Sequence, residues 1–415
     1  MWYRRILCLC YITHLCGAAY NDKLRQVFAW KQIDYDFDGV FYRQDTNLQR
    51  TPDGVYFDDD VVEKEKFFIQ YNNVPIGFER YGEKVFVTVP RRRYGIPSTL
   101  NYVLLSETKP VLRPYPNIKS VDDLVSVYRP RVDVCSRLWM VDTGLLEIPE
   151  SRTQIRKPSI IVYDLRTDKR ILKYELSDAD LVNNRTSGGL TSITVDVSKD
   201  SCGDAYAYIN DLATAGLIVF SLKKQTSWRI QDPTFMFDEV ALNFTVAGLV
   251  INWRDGLFSI ALSKDRKTGR TTAYYHPLVS TKEYAIDTGF LKNNSFAGNN
   301  VVLGDRGFNT QSGSHGLHQR TGIMFFANVA QDAILCWNVR HKMAPENVAI
   351  AAQDHEKLVY ISDLKVIGDE VWVLANQIPR FVLSKLNVNE MNYYIHRANV
   401  KDLIRGTVCE QTNGT

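Results

Sequence analysis

The sequence predicts an all-β fold, a six-bladed β-propeller that forms a single domain over about residues 25–410. A pair of short apolar strands returns roughly every 45 to 70 residues, which is the spacing of a repeat architecture. Long amphipathic helical periods are scarce, and no Pro-, Ser- or Gly-rich linker divides the chain. A two-stranded unit cannot bury both of its faces alone, so neighbouring units must stack, and six radial sheets satisfy that need.

The clearest strand lies within residues 129–146. Residues 137–142 are apolar, aromatic and β-branched, end on a carboxylate, and are followed by Thr143-Gly144. This pattern is typical of a buried strand before a tight turn. Strand pairs of the same form are predicted at 84–90 and 98–105, 137–142 and 159–165, 205–211 and 216–222, 256–262 and 270–277, 322–328 and 333–339, and 370–376 and 381–386.

The ring also needs a closing strand. Residues 26–33, which contain Trp30, precede the first complete unit and are predicted to join the last sheet. The alternative architecture, two stacked β-sandwiches, predicts a linker near the middle of the chain, where none is found.

The amino terminus has the form of a secretory signal peptide over residues 1–19. Arg4 and Arg5 precede a short apolar run, and Gly17-Ala18-Ala19 supplies small residues for cleavage. The run is shorter than the roughly 20 residues that span a bilayer. We therefore expect a secreted, extracellular protein with no membrane partner.

Removal of that segment leaves four of the seven cysteines, Cys135, Cys202, Cys336 and Cys409. An even number in a secreted chain predicts two disulfides, with three possible connectivities. We favour Cys135–Cys202 and Cys336–Cys409, the pairing that is local in an array of units, each worth about 2–4 kcal/mol. Glycosylation sequons, which fit the same compartment, begin at Asn184, Asn243 and Asn293.

Several classes of function find no support. The net charge of +3 is dispersed, and the one dense basic run, residues 91–93, is interpreted as a solvated loop. We therefore expect no nucleic-acid partner. No phosphate loop or dinucleotide fingerprint occurs, so no cofactor is expected. His315 and His318 lack the further ligands of a zinc site, and no metal is predicted. Residues 313–316 do not match a serine nucleophile elbow.

Polar residues at strand ends form the candidate site. If the first strand of every blade lines the central channel, the residues that close those strands meet at one mouth. Each of them alone is equally well a turn or cap residue, but together they make a default binding site. They are Asp142, Asn210, Asp211, Asn328, Ser362, Asp363 and Asn376.

Two uses of these oxygens are open. A hard cation such as Ca²⁺ takes six to eight oxygen ligands. Alternatively, a carboxylate and an amide can hold the ammonium and hydroxyl groups of a catechol or aromatic amine. Apolar neighbours would then supply the slot, and the candidates are Phe325, Phe326, Trp372 and Ile378.

Residues 129–144, RPRVDVCSRLWMVDTG, closely resemble the most specific segment of the insect yellow and major royal jelly proteins. Further matches include residues 206–211, 335–338 (LCWN) and the closing Gly406-Thr407-Val408-Cys409, and they extend from Trp30 to Cys409. The resemblance implies a secreted six-bladed propeller with the disulfide pairing preferred above. It also implies a role in insect cuticle or melanin pigmentation, where some members convert dopachrome to dihydroxyindole and salivary members bind biogenic amines.

The resemblance also implies site residues. The polar steps of the amine-binding members fall on Ser362-Asp363 and on Asn376-Gln377-Ile378, where Ile378 replaces an aromatic residue. We expect Ser362 and Asn376 to contact the ligand, with contributions from Ile378, Asn210 and Asn328.

Dopachrome conversion would need a general base, worth about 10²–10⁴-fold in rate, and Asp142, Asp211 and Asp363 are the candidates. Whether the chain is an enzyme is left open. One alternative is a non-catalytic carrier of biogenic amines or catechols. Another is a Ca²⁺-dependent, lactonase-like propeller hydrolase that uses Asp142, Asn210, Asp211 and Asn376.

Overall fold

Six four-stranded antiparallel sheets follow one another along the chain, which confirms the six-bladed β-propeller. The structure is a computed structural model that describes residues 23–46, 62–149, 151–265 and 267–410. The predicted signal peptide lies outside these residues. Within them, no helix is both long and apolar enough to cross a bilayer.

The blades are numbered along the chain, with strands given from the innermost outward. Blade 1 contains Gly77–Tyr81, Lys84–Thr88, Leu100–Leu104 and Arg113–Pro114. Blade 2 contains Arg131–Val132, Arg137–Asp142, Ser159–Asp164 and Lys169–Glu175. Blade 3 contains Leu190–Asp196, Tyr206–Asp211, Gly216–Ser221 and Thr226–Gln231. Blade 4 contains Leu257–Lys264, Thr271–Pro277, Lys282–Asp287 and Val301–Asp305. Blade 5 contains Ser312–His318, Ile323–Asn328, Ala333–Asn338 and Val348–Gln353. Blade 6 contains Ile361–Ile367, Glu370–Ala375, Tyr393–Asn399 and, from the amino terminus, Arg25–Trp30.

In five of the six blades, the strand that was predicted to line the channel is in fact the second strand, and a different strand is innermost. Arg137–Asp142, for example, pairs with Arg131–Val132 on its inner side and with Ser159–Asp164 on its outer side. Second strands are covered on both faces and read as continuous apolar runs. Innermost strands such as Ser312–His318 carry polar side chains toward the channel, so their pattern is weaker. Only in blade 4 is the predicted channel strand, Leu257–Lys264, the innermost one.

Blade 6 confirms the predicted closure and corrects one strand. Arg25–Trp30 pairs with Tyr393–Asn399 and closes the ring. The strand predicted at 381–386 is wrong, because Ile378–Leu383 is a helix with Pro379 in its first turn. Proline is favoured there because its missing N–H needs no partner at a helix start, and a short apolar run does not distinguish helix from strand.

Both predicted disulfides are present. Cys135–Cys202 joins blades 2 and 3 across 67 residues of sequence. Cys336–Cys409 ties the third strand of blade 5 to the carboxyl-terminal tail across 73 residues. Both bridges therefore connect segments that stack beside each other in the ring.

Outside the blades, the described residues contain short hairpins and helices. The two-stranded hairpins are Tyr35–Phe37 with Val40–Tyr42, Leu145–Leu146 with Thr153–Gln154, and Phe244–Val246 with Leu249–Ile251. The α-helices are Thr186–Gly189, Thr288–Lys292, Ile378–Leu383 and Val400–Ile404. Short 3₁₀ turns lie at Glu63–Glu65, Gln70–Asn72, Ile118–Asp123, Asp178–Asp180, Lys199–Ser201, Pro233–Phe235, Glu239–Ala241 and Pro345–Asn347.

The hairpin Phe244–Ile251 and the helix Ile378–Leu383 contact each other and share one apolar core cluster. The asparagines of the three predicted sequons, Asn184, Asn243 and Asn293, are exposed. Their glycosylation stays a prediction.

Candidate functional site

One mouth of the central channel holds a cavity of about 290 Å³. Five blades contribute to its wall. The contributing parts are the start of the innermost strand with the segment before it, and the loop after the second strand, which a propeller brings together around its axis. The cavity is lined by aromatic, charged, apolar and small polar residues. They are Ile76, Arg92, Tyr128, Arg129, Glu147, Gly188, Thr191, Leu212, Trp253, Arg254, Asp255, Phe258, Tyr360, Ser362 and Ile378.

The aromatic part of the wall forms a slot for a flat molecule. The Trp253 and Tyr360 rings meet edge to face, with centroids 5.9 Å apart. The guanidinium of Arg129 lies 4.5 Å from the centroid of the Phe258 ring. Aromatic walls with a few placed charges are typical of small-molecule sites.

Asp255 is the carboxylate that the structure leaves available for proton transfer. Burial raises its pKa to about 6, although the nearby charges of Arg92 and Arg129 act in the opposite direction. No described residue donates a hydrogen bond to its carboxylate oxygens. A carboxylate with free oxygens and a pKa near neutrality is suited to act as a general base.

Arg129 is a fixed positive charge in the wall. Its Nε donates to the Ser362 carbonyl at 2.7 Å and its Nη1 donates to the Thr191 carbonyl at 3.1 Å. These bonds hold the side chain between blades 2, 3 and 6. The guanidinium therefore faces the cavity without a reorganisation cost when charge develops there.

Glu147 and Tyr128 form a second titratable pair in the wall. The Tyr128 hydroxyl donates to a Glu147 carboxylate oxygen. Burial and the charge of Glu147 both raise the pKa of Tyr128 well above its usual value. Tyr128 consequently keeps its proton at neutral pH and donates it to Glu147, which fixes both side chains in the wall.

Two of the predicted ligand contacts lie in this wall, and a third supports it. Ser362 and Ile378 line the cavity. The Ser362 hydroxyl donates to the Ile76 carbonyl at 2.8 Å. Asn376 does not line the cavity, because its amide donates to the Pro75 carbonyl at 2.8 Å and accepts from the Ile378 N–H at 3.1 Å. Asn376 therefore positions Ile378 and joins blade 6 to blade 1.

Asp142 and Asp211 do not line the cavity either. The Asp142 carboxylate accepts the N–H groups of Val125 and Ser126 at 3.0 and 2.8 Å. The Asp211 carboxylate is paired with Arg229 Nη1 at 2.9 Å. Both lie at the end of a second strand, one layer away from the channel. Their role as bases stays a prediction, and the geometry favours Asp255 instead.

Asp363 lies in the channel but faces the opposite cavity, which has a volume of about 340 Å³. Its carboxylate accepts the Phe78 N–H at 3.1 Å and the Ser314 hydroxyl at 3.0 Å, and Lys365 Nζ lies 3.4 Å away. These donors occupy the carboxylate oxygens of Asp363 and hold the group between blades 1, 5 and 6.

Asn210 and Asn328 also join neighbouring segments rather than line the mouth cavity. The Asn210 amide donates to the Leu257 carbonyl of blade 4 at 3.0 Å. The Asn328 amide donates to the Asn309 carbonyl at 2.8 Å. Both contacts satisfy backbone groups at strand ends, which was the alternative interpretation of these residues.

The comparison with known proteins identifies the family. The profile of the family described as "Major royal jelly protein" matches residues 125–409. The chain is 39% identical to "L-dopachrome tautomerase yellow-f" of Drosophila melanogaster, over 98% of this chain and 99% of that protein. It is 32% identical to "Dopaminechrome tautomerase" of the same organism, over 95% of this chain and 85% of that protein. Identity to "Protein yellow" of Drosophila melanogaster is 34%, over 95% of this chain and 72% of that protein.

The chain belongs to the yellow/major royal jelly protein family. The resemblance of residues 129–144 therefore identified the family correctly. Within this family, the fold alone does not select an activity, so the chemistry must be argued from the cavity.

In this yellow-family chain, a buried ionic network lies between blades 4 and 5. His276 Nδ1 lies 2.9 Å from Glu283 Oε2, and Arg306 Nη1 lies 2.7 Å from the same oxygen. His315 Nε2 approaches Glu283 Oε1 at 3.3 Å. Although burial opposes ionisation, the two histidines hold the pKa of Glu283 at about 2.

The two histidines and Glu283 are close enough together to be metal ligands. Arg306, however, already supplies a cation to Glu283, so the cluster is balanced as an ionic network. His318 faces elsewhere, toward Asp369 at 3.0 Å. His315 and His318 therefore do not share a site.

Most of the cavity wall is not predicted from the sequence. The interpretation of residues 91–93 as a solvated loop is wrong. Arg91 donates to the Leu124 carbonyl at 2.7 Å and to the Pro97 carbonyl at 3.0 Å, and Arg92 lines the cavity. A usable signal was the pairing of an aromatic residue with a charged or polar one just before or at the start of an innermost strand, as in 128–129, 253–255 and 360–362.

Proposed function

We propose that this chain is a secreted protein of insect melanin pigmentation that tautomerises an aminochrome, the indoline quinone formed from a catecholamine, in the mouth cavity. The observation that carries this proposal is Asp255, a carboxylate with free oxygens and a pKa of about 6 beside an aromatic slot. Relatives of nearly equal length named as dopachrome and dopaminechrome tautomerases support the same reaction class.

The cavity suits the size and shape of such a substrate. Its volume of about 290 Å³ is close to the lower end of the range of about 300–1,000 Å³ for ligand pockets. A flat bicyclic quinone can lie against Trp253, Phe258 and Tyr360.

The reaction is a proton transfer without net oxidation or reduction. The Asp255 carboxylate takes a proton from the saturated five-membered ring, and the electron pair of that C–H bond moves into the ring system. One quinone oxygen becomes negative and takes up a proton. A second proton then leaves the neighbouring carbon of the five-membered ring and the other quinone oxygen takes up a proton, which gives the dihydroxyindole. The Arg129 guanidinium stabilises the developing charge.

The charges of the cavity disfavour the two alternative functions. Three guanidinium groups and two carboxylates line it, so an ammonium ligand would meet a net positive field. A Ca²⁺ ion would meet the same field and needs six to eight oxygen ligands. A neutral or anionic quinone is the better match.

The decisive experiment measures aminochrome conversion by the purified mature protein. Loss of aminochrome colour and formation of dihydroxyindole are followed against the spontaneous decay in buffer. We expect Asp255→Asn to lower the rate by about 10²–10⁴-fold, the usual contribution of a general base.

The matched control is Asp200→Asn, which makes the same change at an exposed position and should leave the rate unchanged. Decay in the presence of the wild-type protein equal to that in buffer would overturn the proposal. Binding of the quinone without conversion would favour the carrier function instead.

A further inference from the structure

We infer that Arg92 binds the carboxylate of the substrate, so that this chain acts on an aminochrome that carries a carboxyl group in preference to one that lacks it. The inference rests on the proposed function and concerns the specificity of the same cavity. The names of the relatives do not decide it, because dopachrome has this carboxyl group and dopaminechrome does not.

The first argument is the charge of the cavity wall. Arg92, Arg129 and Arg254 face only Glu147 and Asp255, which leaves one excess positive charge when both carboxylates are ionised. Glu147 is also shared, because Arg152 Nη2 lies 3.9 Å from its Oε1. An anionic substituent on the substrate would balance the excess charge.

Arg92 has hydrogen-bond donors that no described residue uses. Its closest ionic partner is Glu147 Oε2, 4.0 Å from Arg92 Nε, and its guanidinium donates no hydrogen bond to any described residue. Arg129 differs, since two carbonyl groups already occupy its Nε and Nη1. The side chain of Arg92 is 35% exposed, so a ligand in the cavity can reach it.

The shape of the guanidinium and the place of Arg92 in the wall also favour it. A guanidinium presents a planar fork of donors that matches the two oxygens of a carboxylate, which the point charge of a lysine does not. Arg254 is exposed and packs against Phe237, with its guanidinium 5.4 Å from the ring centroid. Arg92 is therefore the guanidinium best placed to grip a carboxylate within the slot.

The inference has a further consequence for Asp255. Among the positive charges, Arg92 favours the ionisation of Asp255 most. A substrate carboxylate bound to Arg92 cancels part of this charge, so the pKa of Asp255 should be higher in the substrate complex than in the free protein. The pH profile of kcat reports the complex, and that of kcat/KM reports the free protein.

The experiment compares dopachrome with dopaminechrome for the wild type, Arg92→Met, Arg92→Lys and the control Arg93→Met. Arg93 adjoins Arg92 in sequence but stacks on Phe381, 5.4 Å from its centroid, outside the mouth cavity. We expect the wild type to prefer dopachrome in kcat/KM. We expect Arg92→Met to lose about 10- to 100-fold on dopachrome, the worth of a hydrogen bond to a charged group, and less than about threefold on dopaminechrome. Arg92→Lys, which keeps the charge but loses the fork, should recover only part of the loss, and Arg93→Met should behave as wild type.

Equal loss on both substrates, or a wild type without preference, would overturn the role of Arg92 while leaving the tautomerase function intact. Conversion of neither substrate would overturn the tautomerase function. In that case calorimetry with indole-2-carboxylate and indole still tests Arg92. Binding of the acid that disappears in Arg92→Met supports the inference, and equal binding of the two probes refutes it.

Discussion

The pH dependence of aminochrome conversion tests the role of Asp255 most directly. Because burial raises the pKa of Asp255 to about 6, about nine-tenths of the protein carries the ionised base at about pH 7 and about one-tenth at about pH 5. We therefore expect kcat/KM to fall about tenfold between these two pH values. A carboxylate with an ordinary pKa near 4 would remain ionised over the same range and would give a flat profile.

The assay measures initial rates across this range, corrected for spontaneous decay at each pH. In Asp255→Asn the residual rate should lose the acid limb of the profile. A flat wild-type profile above about pH 5, or an acid limb that survives in Asp255→Asn, would refute Asp255 as the base.

Protein stability provides a second check that needs no substrate. A carboxyl group whose pKa is higher in the folded protein than in the unfolded chain opposes folding when ionised, so its contribution becomes unfavourable as the pH rises from about 4 to about 6. Asp255→Asn removes this cost. After allowance for partial exposure to solvent, we expect a gain of about 1–2 kcal/mol in the free energy of unfolding at neutral pH. Denaturant titration of both proteins measures it, and a loss of stability would contradict the assignment.

Three further predictions concern the framework of the site. Replacing Cys336 and Cys409 together by serine should lower the free energy of unfolding by about 2–4 kcal/mol. Calorimetry would show this as a lower unfolding midpoint, and an unchanged midpoint would show that the bridge does not stabilise the fold. Burial lowers the pKa of His396 to about 4, so below about pH 6.5 the unfolded chain binds a proton at His396 that the folded protein does not, and stability falls as the pH falls toward 4. Between about pH 7 and pH 5, the wild type should lose about 2 kcal/mol of its free energy of unfolding through His396. Denaturant titration should show that His396→Phe does not lose this part. Asn376→Ala should lower the free energy of unfolding by about 1–3 kcal/mol, because it leaves buried backbone groups unpaired. A rise in KM without loss of stability would instead restore Asn376 as a direct ligand contact.

The second strands and the disulfides could be predicted from short stretches of the sequence. Strands such as Arg137–Asp142 are covered on both faces, and their apolar runs are legible without any knowledge of neighbours. The same holds for Cys135–Cys202, because the linked segments belong to consecutive units. The closing strand Arg25–Trp30 was identified by the same reasoning, since a ring of such units needs a partner for its last sheet.

The innermost strands and the cavity could not be predicted in the same way. Leu190–Asp196 and Ser312–His318 have one face toward a polar channel, so they lack the continuous apolar run of the second strands. The polar side chains that were assigned to the site, such as Asp142, instead satisfy backbone groups one layer away from the axis.

By itself, the sequence determined the family, the propeller and the disulfide pairing, because each of these depends on patterns within a repeat or between neighbouring repeats. It also determined the closure of the ring, because the last sheet of such an array needs a strand from the other end of the chain. Only the tertiary structure decided which charged groups meet. Arg92, Arg129 and Asp255 lie in loops far apart in the chain, and the radial stacking of blades is what makes them neighbours. The raised pKa of Asp255 and the free donors of Arg92 are properties of that shared cavity, since burial and neighbouring charges act through space rather than along the sequence.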